Sequence, residues 1–149
     1  MKQLIFSALL LCSLSSFAQT DTAGKKQTIY QYVEQMPQPP YDVYRFVSDR
    51  MRYPDAAVKN KIQGIIYVRF VVKADGVIEE VSVLRSLRFE HDSLSGVENK
   101  IPVSKLGYGM EEEAIRVIKL MTPWKPGKQN GVPVAVSYAL PVDFKIKQK

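Results

Sequence analysis

Chemistry-bearing side chains are scarce in this chain. Its 149 residues hold one cysteine, Cys12, one histidine, His91, and one tryptophan, Trp124. A lone cysteine closes no intramolecular disulfide, and one cysteine with one histidine is no structural zinc set. His91-Asp92-Ser93 sets three triad residue types side by side, with Ser95 nearby. Adjacency on a loop does not build the geometry of a nucleophile, its base and an orienting carboxylate, and no G-x-S-x-G elbow is present. Gly107-Tyr108-Gly109 lacks the third glycine and the preceding strand of a dinucleotide loop, so it reads as a hinge or cap. The expectation is a non-enzyme with no catalytic residue, no metal and no cofactor. A long hydrophobic run is also missing: the apolar stretch 4–14 is too short to span a bilayer.

That stretch has another meaning. Lys2, the apolar run and Ser15-Ser16-Phe17-Ala18 follow the plan of a secretory signal peptide with a small-x-small cleavage site. Cleavage is expected after Ala18; removing 18 of 149 residues leaves 131 and takes Cys12 away. Bulky Leu11 before Cys12 argues against lipoprotein processing. The expected location is the periplasm of a Gram-negative bacterium, with membrane anchoring if the signal is retained. Losing Lys2 lowers the formal net charge from +6 to +5. Mild basicity favours acidic peptides or surfaces, and an exported chain makes nucleic acid an unexpected partner. Residues 19–40 are small, polar and then proline-containing (Pro37, Pro39, Pro40), as in a flexible tether.

A folded domain is expected over 41–149. Asp42 is a plausible N-cap for a short helix carrying Val43, Phe46, Val47 and Met51 on one face. Tyr53-Pro54 stops it, and Pro54 opens a second short helix with Ala56, Ala57 and Val58. Residues 65–72 and 77–84 read as a hairpin around Ala74-Asp75-Gly76. The core-facing parity changes between Ile78 and Val81, which places a bulge near Glu79-Glu80. Residues 85–109 carry no periodic pattern and are expected to be a loop, within which 87–106 looks like a polar insertion. A helix over 111–121 buries Ala114, Ile115, Val117, Ile118 and Met121 and sets three glutamates at the positive end of its dipole. Trp124 is expected to plug the core between helix and sheet rather than to serve as a ligand platform.

The last stretch, 132–146, alternates strictly. Val134, Val136, Tyr138, Leu140, Val142, Phe144 and Ile146 share one face, after an Asn130-Gly131 turn. Pro133 and Pro141 have the same parity, so both missing donors fall on one side of the strand. From this the even residues are expected to bond inward and the odd ones to present an open edge, where Ala135, Ser137 and Ala139 could pair with an added strand. The plainer alternative is an ordinary edge strand guarded by its prolines.

Several motifs then occur in order. They are Val33-Glu34-Gln35-Met36-Pro37, Tyr53-Pro54 with Ala56-Ala57, Gln63-Gly64, and Val68-x-Phe70-Val71-Val72-x-x-Asp75-Gly76. Val81-x-Val83-Leu84-Arg85, Glu112-Glu113-Ala114-x-Arg116-Val117, Trp124-Lys125-Pro126-Gly127, Gly131-x-Pro133-Val134 and Leu140-Pro141-Val142-x-Phe144 follow. The ordered set resembles the TonB C-terminal domain family, especially its Bacteroidetes versions, over residues 33–146. The resemblance implies an α+β fold: a three-stranded antiparallel sheet packed against two helices. It implies binding of the TonB box, an extended peptide of outer-membrane TonB-dependent receptors, by strand addition to the last strand, in the service of energised transport of siderophores, vitamin B12 or glycans. The expected peptide-binding edge is Asn130, Gly131, Val132, Val134, Ala135, Val136, Ser137, Tyr138 and Ala139. Inner-membrane motor proteins are expected as partners only if residues 4–18 remain as an anchor. A homodimer through the open edge is the structural alternative.

Overall fold

The computed structural model describes residues 27–92, 94 and 96–146; the expected signal peptide and the first part of the expected tether lie outside them. The elements run β1 (Ile29–Tyr30), α1 (Val43–Arg50), α2 (Asp55–Lys59), β2 (Gly64–Val72), β3 (Ile78–His91), β4 (Glu98–Val103), α3 (Met110–Lys119), β5 (Gly127–Gln129) and β6 (Val132–Phe144). The fold is α+β, but the sheet has six strands rather than three. Its order is β1-β6-β2-β3-β4, with β5 paired to β6 off this path. The three-stranded expectation holds only for the central β6-β2-β3 unit, which is antiparallel throughout.

Each helix begins where the local chemistry allows. The Asp42 carboxylate accepts the Arg45 N–H at 2.9 Å and caps α1. Pro54 precedes α2, whose first turn carries Asp55. Left-handed Gly109 (φ 81°) precedes α3, which has Glu111, Glu112 and Glu113 in its first turn.

One face of the sheet holds the core. Ile66, Val68, Phe70 and Val72 of β2 and Val136, Val142 and Phe144 of β6 are fully buried, with Leu140 nearly so. Helix α3 closes this face with Ala114, Val117 and Ile118, while Val47 of α1 and Ala57 of α2 fill its margin. Trp124 is buried as expected, edge-on to Phe70 at 5.5 Å and to Tyr138 at 5.4 Å. The β2–β3 hairpin turns at Gly76, whose backbone carbonyl accepts the Trp124 N–H at 2.9 Å.

Bulges reset the β3 face twice. Val71 pairs with Glu79 and Arg69 with Ser82, so Glu80 and Val81 share the place opposite Phe70, and Glu80 takes φ 52°. This is the bulge expected near Glu79-Glu80. A second shift, between the Tyr67/Arg85 and Val68/Val83 pairs, leaves Leu84 over and exposed.

Two stretches differ from expectation. Residues 85–109 are not a loop: β3 continues to His91 and pairs with β4 from Ser86↔Val103 to His91↔Glu98. This ribbon runs beyond the core, and five of the six β4 residues are exposed. Apart from Ser86 and Val103 at its base it has no residue on the core, so it needs no apolar alternation, which is the signal that marks a strand in sequence. The polar insertion at 87–106 is therefore mostly hairpin. Residues 29–40, expected to be a tether, are instead held against the sheet. Ile29 and Tyr30 pair in parallel with Ala135 and Val136. Gln35 exchanges two backbone bonds with Lys128 (3.2 and 2.9 Å), and Gln38 exchanges two with Lys125 (3.0 and 2.8 Å).

Candidate strand-addition site

Strand β6 is the last antiparallel partner of β2, from Val72↔Val136 to Gly64↔Phe144. What lies along its other edge decides whether it can accept a ligand. Asn130 (φ 51°) and Gly131 (φ 74°) form a two-residue turn with both central residues left-handed, as a type I′ hairpin requires. Val132, Pro133 and Val134 then pair with Gln129, Lys128 and Gly127 of β5. Ala135 and Val136 take β1, on the side away from β2. After Val136 no strand among the described residues pairs this outer edge.

The nine expected site residues therefore divide. Asn130, Gly131, Val132 and Val134 belong to the β5–β6 hairpin. Ala135 and Val136 lie under β1, and Ala135 is only 1% exposed. Ser137, Tyr138 and Ala139 keep the outer edge, which runs on through Leu140, Pro141, Val142 and Asp143. Pro141 contributes no donor there or anywhere.

The N-terminal segment is latched at its bend. The Glu34 carboxylate accepts the Asn130 N–H at 3.1 Å and the Gln129 side-chain amide at 3.2 Å, and the Glu34 N–H donates back to Gln129 Oε1 at 3.2 Å. Past this latch the chain borders two recesses along the open edge. One, of about 440 Å³, has Tyr32 and Met36 on one side and Arg69, Leu84, Ser137 and Ala139 on the other. The second, of about 220 Å³, lies between α1 and the strand, lined by Tyr44, Val47, Ser48, Met51, Pro141 and Asp143. The two recesses thus border successive parts of the open edge, one at 137–139 and the other at 141 and 143.

Sequence reasoning missed these walls. Tyr32, Arg69, Leu84 and the α1 residues are far from 130–139 in the chain, and only the fold brings them there. The one local signal was Ile29-Tyr30, a two-residue β-type run inside a polar segment. No group of three or more His, Cys, Asp or Glu side chains suited to a metal occurs among the described residues. No described helix is long and apolar enough to cross a membrane.

Comparison with known proteins gives a consistent result. The family model for the Gram-negative bacterial TonB protein C-terminal region matches residues 49–100 and 97–146, together most of the described chain. The two matches overlap at 97–100, inside the β3–β4 hairpin. No curated protein matches. Two solution structures of the Helicobacter pylori TonB C-terminal domain are similar. One is 20% identical, covers 72% of this chain and 92% of that one, and has a TM-score of 0.44. The other is 18% identical, covers 70% and 78%, and has a TM-score of 0.41. The chain belongs to the TonB C-terminal domain family.

Proposed function

We propose that this domain captures the TonB box of an outer-membrane receptor by adding the peptide as a strand to β6 over residues 137–143. The setting is the periplasm, and the process served is energised transport across the outer membrane. The supporting observation is that the same edge already carries a short strand from the chain itself, β1, in parallel orientation. Backbone hydrogen bonds would supply affinity and the two recesses selectivity. Ser137, Tyr138 and Ala139 remain from the expected site, while Asn130, Gly131, Val132, Val134, Ala135 and Val136 act by shaping and shielding its upper end. Binding and release need no catalytic group. Coupling to an inner-membrane motor requires an anchor, and residues 4–18 are the candidate. A mature N-terminus at Gln19 would exclude that coupling through this segment.

The test is a titration of the isotope-labelled full chain with extended peptides from receptor N-termini, followed by backbone amide NMR. Saturable shifts centred on Ser137, Ala139 and Asp143 are expected. Shifts confined to β4, the opposite edge strand, would overturn the assignment. Shifts at 137–143 that grow with protein concentration in the absence of peptide would instead support a homodimer through this edge.

A further inference from the structure

Cations on the outer face of the sheet, the face opposite the helices, are almost all engaged. Residues paired across strands share a face. By that rule Arg69 and Ala139 lie together, as do Tyr67, Arg85 and Pro141. The Arg85 guanidinium stacks 4.1 Å from the centre of the Tyr67 ring. Lys100 and Lys145 flank the Phe89 ring at 5.8 and 5.2 Å. Lys73 binds Glu79 at 3.1 Å, and that hydrogen bond holds its pKa above the ordinary lysine value. Arg69 differs. It is exposed, and among the described residues its guanidinium has no hydrogen bond, ion pair or ring contact.

Its position is specific. Arg69 lies in register with Ala139, on the open part of β6, and it lines the larger recess, to which no carboxylate contributes. Strands are spaced by about 4.8 Å, so a residue facing Ala139 from an added strand lies roughly 10 Å from the Arg69 backbone. Only a methyl group stands between them. A long guanidinium stem can extend over that methyl, and a carboxylate reaching back can meet it with two parallel hydrogen bonds. Exposed Leu84 and Tyr32 beside it would cover the stem of the incoming side chain.

We propose that the strand added to β6 is selected by charge: it carries an aspartate or glutamate at the position facing Ala139, and Arg69 receives that carboxylate. This rests on the strand-addition reading above and adds a specificity determinant to it. Arg69 is here a recognition residue that leaves the fold untouched, because nothing in the domain depends on its charge.

The experiment separates the two readings. A set of alternating Val/Thr peptides, each with one glutamate moved along the sequence, and their glutamine counterparts are titrated into the full chain. Amide shifts locate binding, and fluorescence anisotropy measures Kd. Strand-competent peptides, acidic or neutral, are expected to shift the 137–143 amides. Glutamate at one position is expected to bind about three- to tenfold more tightly than glutamine, as for a partly solvated bidentate pair. That advantage should shrink with added salt, vanish in Arg69→Gln, and turn into a preference for lysine in Arg69→Glu. Equal binding of the glutamate and glutamine peptides, or an advantage that survives Arg69→Gln, overturns the charge selection alone. If no peptide of either kind shifts 137–143, strand addition falls and the charge selection with it. Unchanged amide shifts in α3 of the Arg69 variants confirm an intact fold.

Discussion

Replacing Glu111 with alanine should unfold this domain more readily than any surface change. Glu111 is 6% exposed and stands in the first turn of α3. Its carboxylate accepts the Leu106 N–H at 2.6 Å, the Gly107 N–H at 3.1 Å and, more weakly, the Ser86 hydroxyl at 3.4 Å. These bonds fasten the connection between β4 and α3, and they hold Leu106, 2% exposed, in the core beside Gly64. Alanine leaves the Leu106 N–H buried without an acceptor, which costs about 2–3 kcal/mol for a bond to a charged group. The Gly107 N–H is only partly buried, so water recovers some of its loss and about 1 kcal/mol remains. The expected total is about 3–4 kcal/mol. Glu111→Gln keeps one acceptor but turns an amide NH₂ toward a second donor, and should lose about 2–3 kcal/mol. Urea unfolding followed by Trp124 fluorescence measures both, with an unchanged m-value showing that only stability has moved. A loss below about 1 kcal/mol for the alanine variant would refute the claim that this carboxylate fastens the connection.

Three further outcomes are expected. Gly76→Ala should cost about 3 kcal/mol or more, because Gly76 has φ 84° and a Cβ there would drive into the Trp124 carbonyl oxygen; the same urea assay reads it. Glu113 accepts Arg116 Nε and Nη2, each at 2.7 Å, and the Arg52 N–H at 2.6 Å, and chiefly the Arg116 bond holds its carboxyl below the usual value of 4.5. A lowered folded pKa stabilises above the unfolded value and is lost as pH falls through the folded one. The wild-type advantage over Glu113→Gln should therefore be about 1 kcal/mol at pH 6–7 and should close below about pH 4.5; unfolding at a series of pH values checks it. Glu34→Ala should release the bend of the N-terminal segment, speeding amide exchange at Gln35 and Asn130 at least tenfold, while lowering global stability by under about 1 kcal/mol because the latch is exposed.

Legibility in the sequence followed burial. The β2–β3 hairpin, α3 and β6 each set one face against the core, and their periodicity was plain: Val68, Phe70 and Val72 alternate, as do Leu140, Val142 and Phe144. Trp124 could be placed in the core because a lone large aromatic between a helix and a strand has few other uses. The β4 strand was hidden because its residues face solvent on both sides, so Glu98-Asn99-Lys100 carries no apolar beat. β1 was hidden for a different reason. Two residues make no period, and their pairing with Ala135 and Val136 depends on a chain segment more than a hundred positions away. Separation in the chain likewise hid Arg69 and Tyr32, which no local pattern ties to Ser137 and Ala139.

Pro133 and Pro141 share parity, yet the two ends of the β6 edge are not alike. An open edge was expected along 132–146, with Ala135, Ser137 and Ala139 free to pair; β5 and β1 instead cover it as far as Val136. In the fold the two halves are managed differently. The upper part is paired, at 132–134 by the adjacent β5 and at 135–136 by β1 from a distant part of the chain, which keeps those positions from pairing with a second copy. The lower half is left unpaired but is interrupted at Pro141 and flanked by α1. A long flat edge would invite pairing with any strand; the open stretch 137–143 is instead bordered by Tyr32 toward one end and by Tyr44 and Met51 toward the other, which on the proposed reading restricts it to a short extended peptide. β5 and β1 thus cover 132–136 and leave the outer edge of β6 open only from Ser137 on.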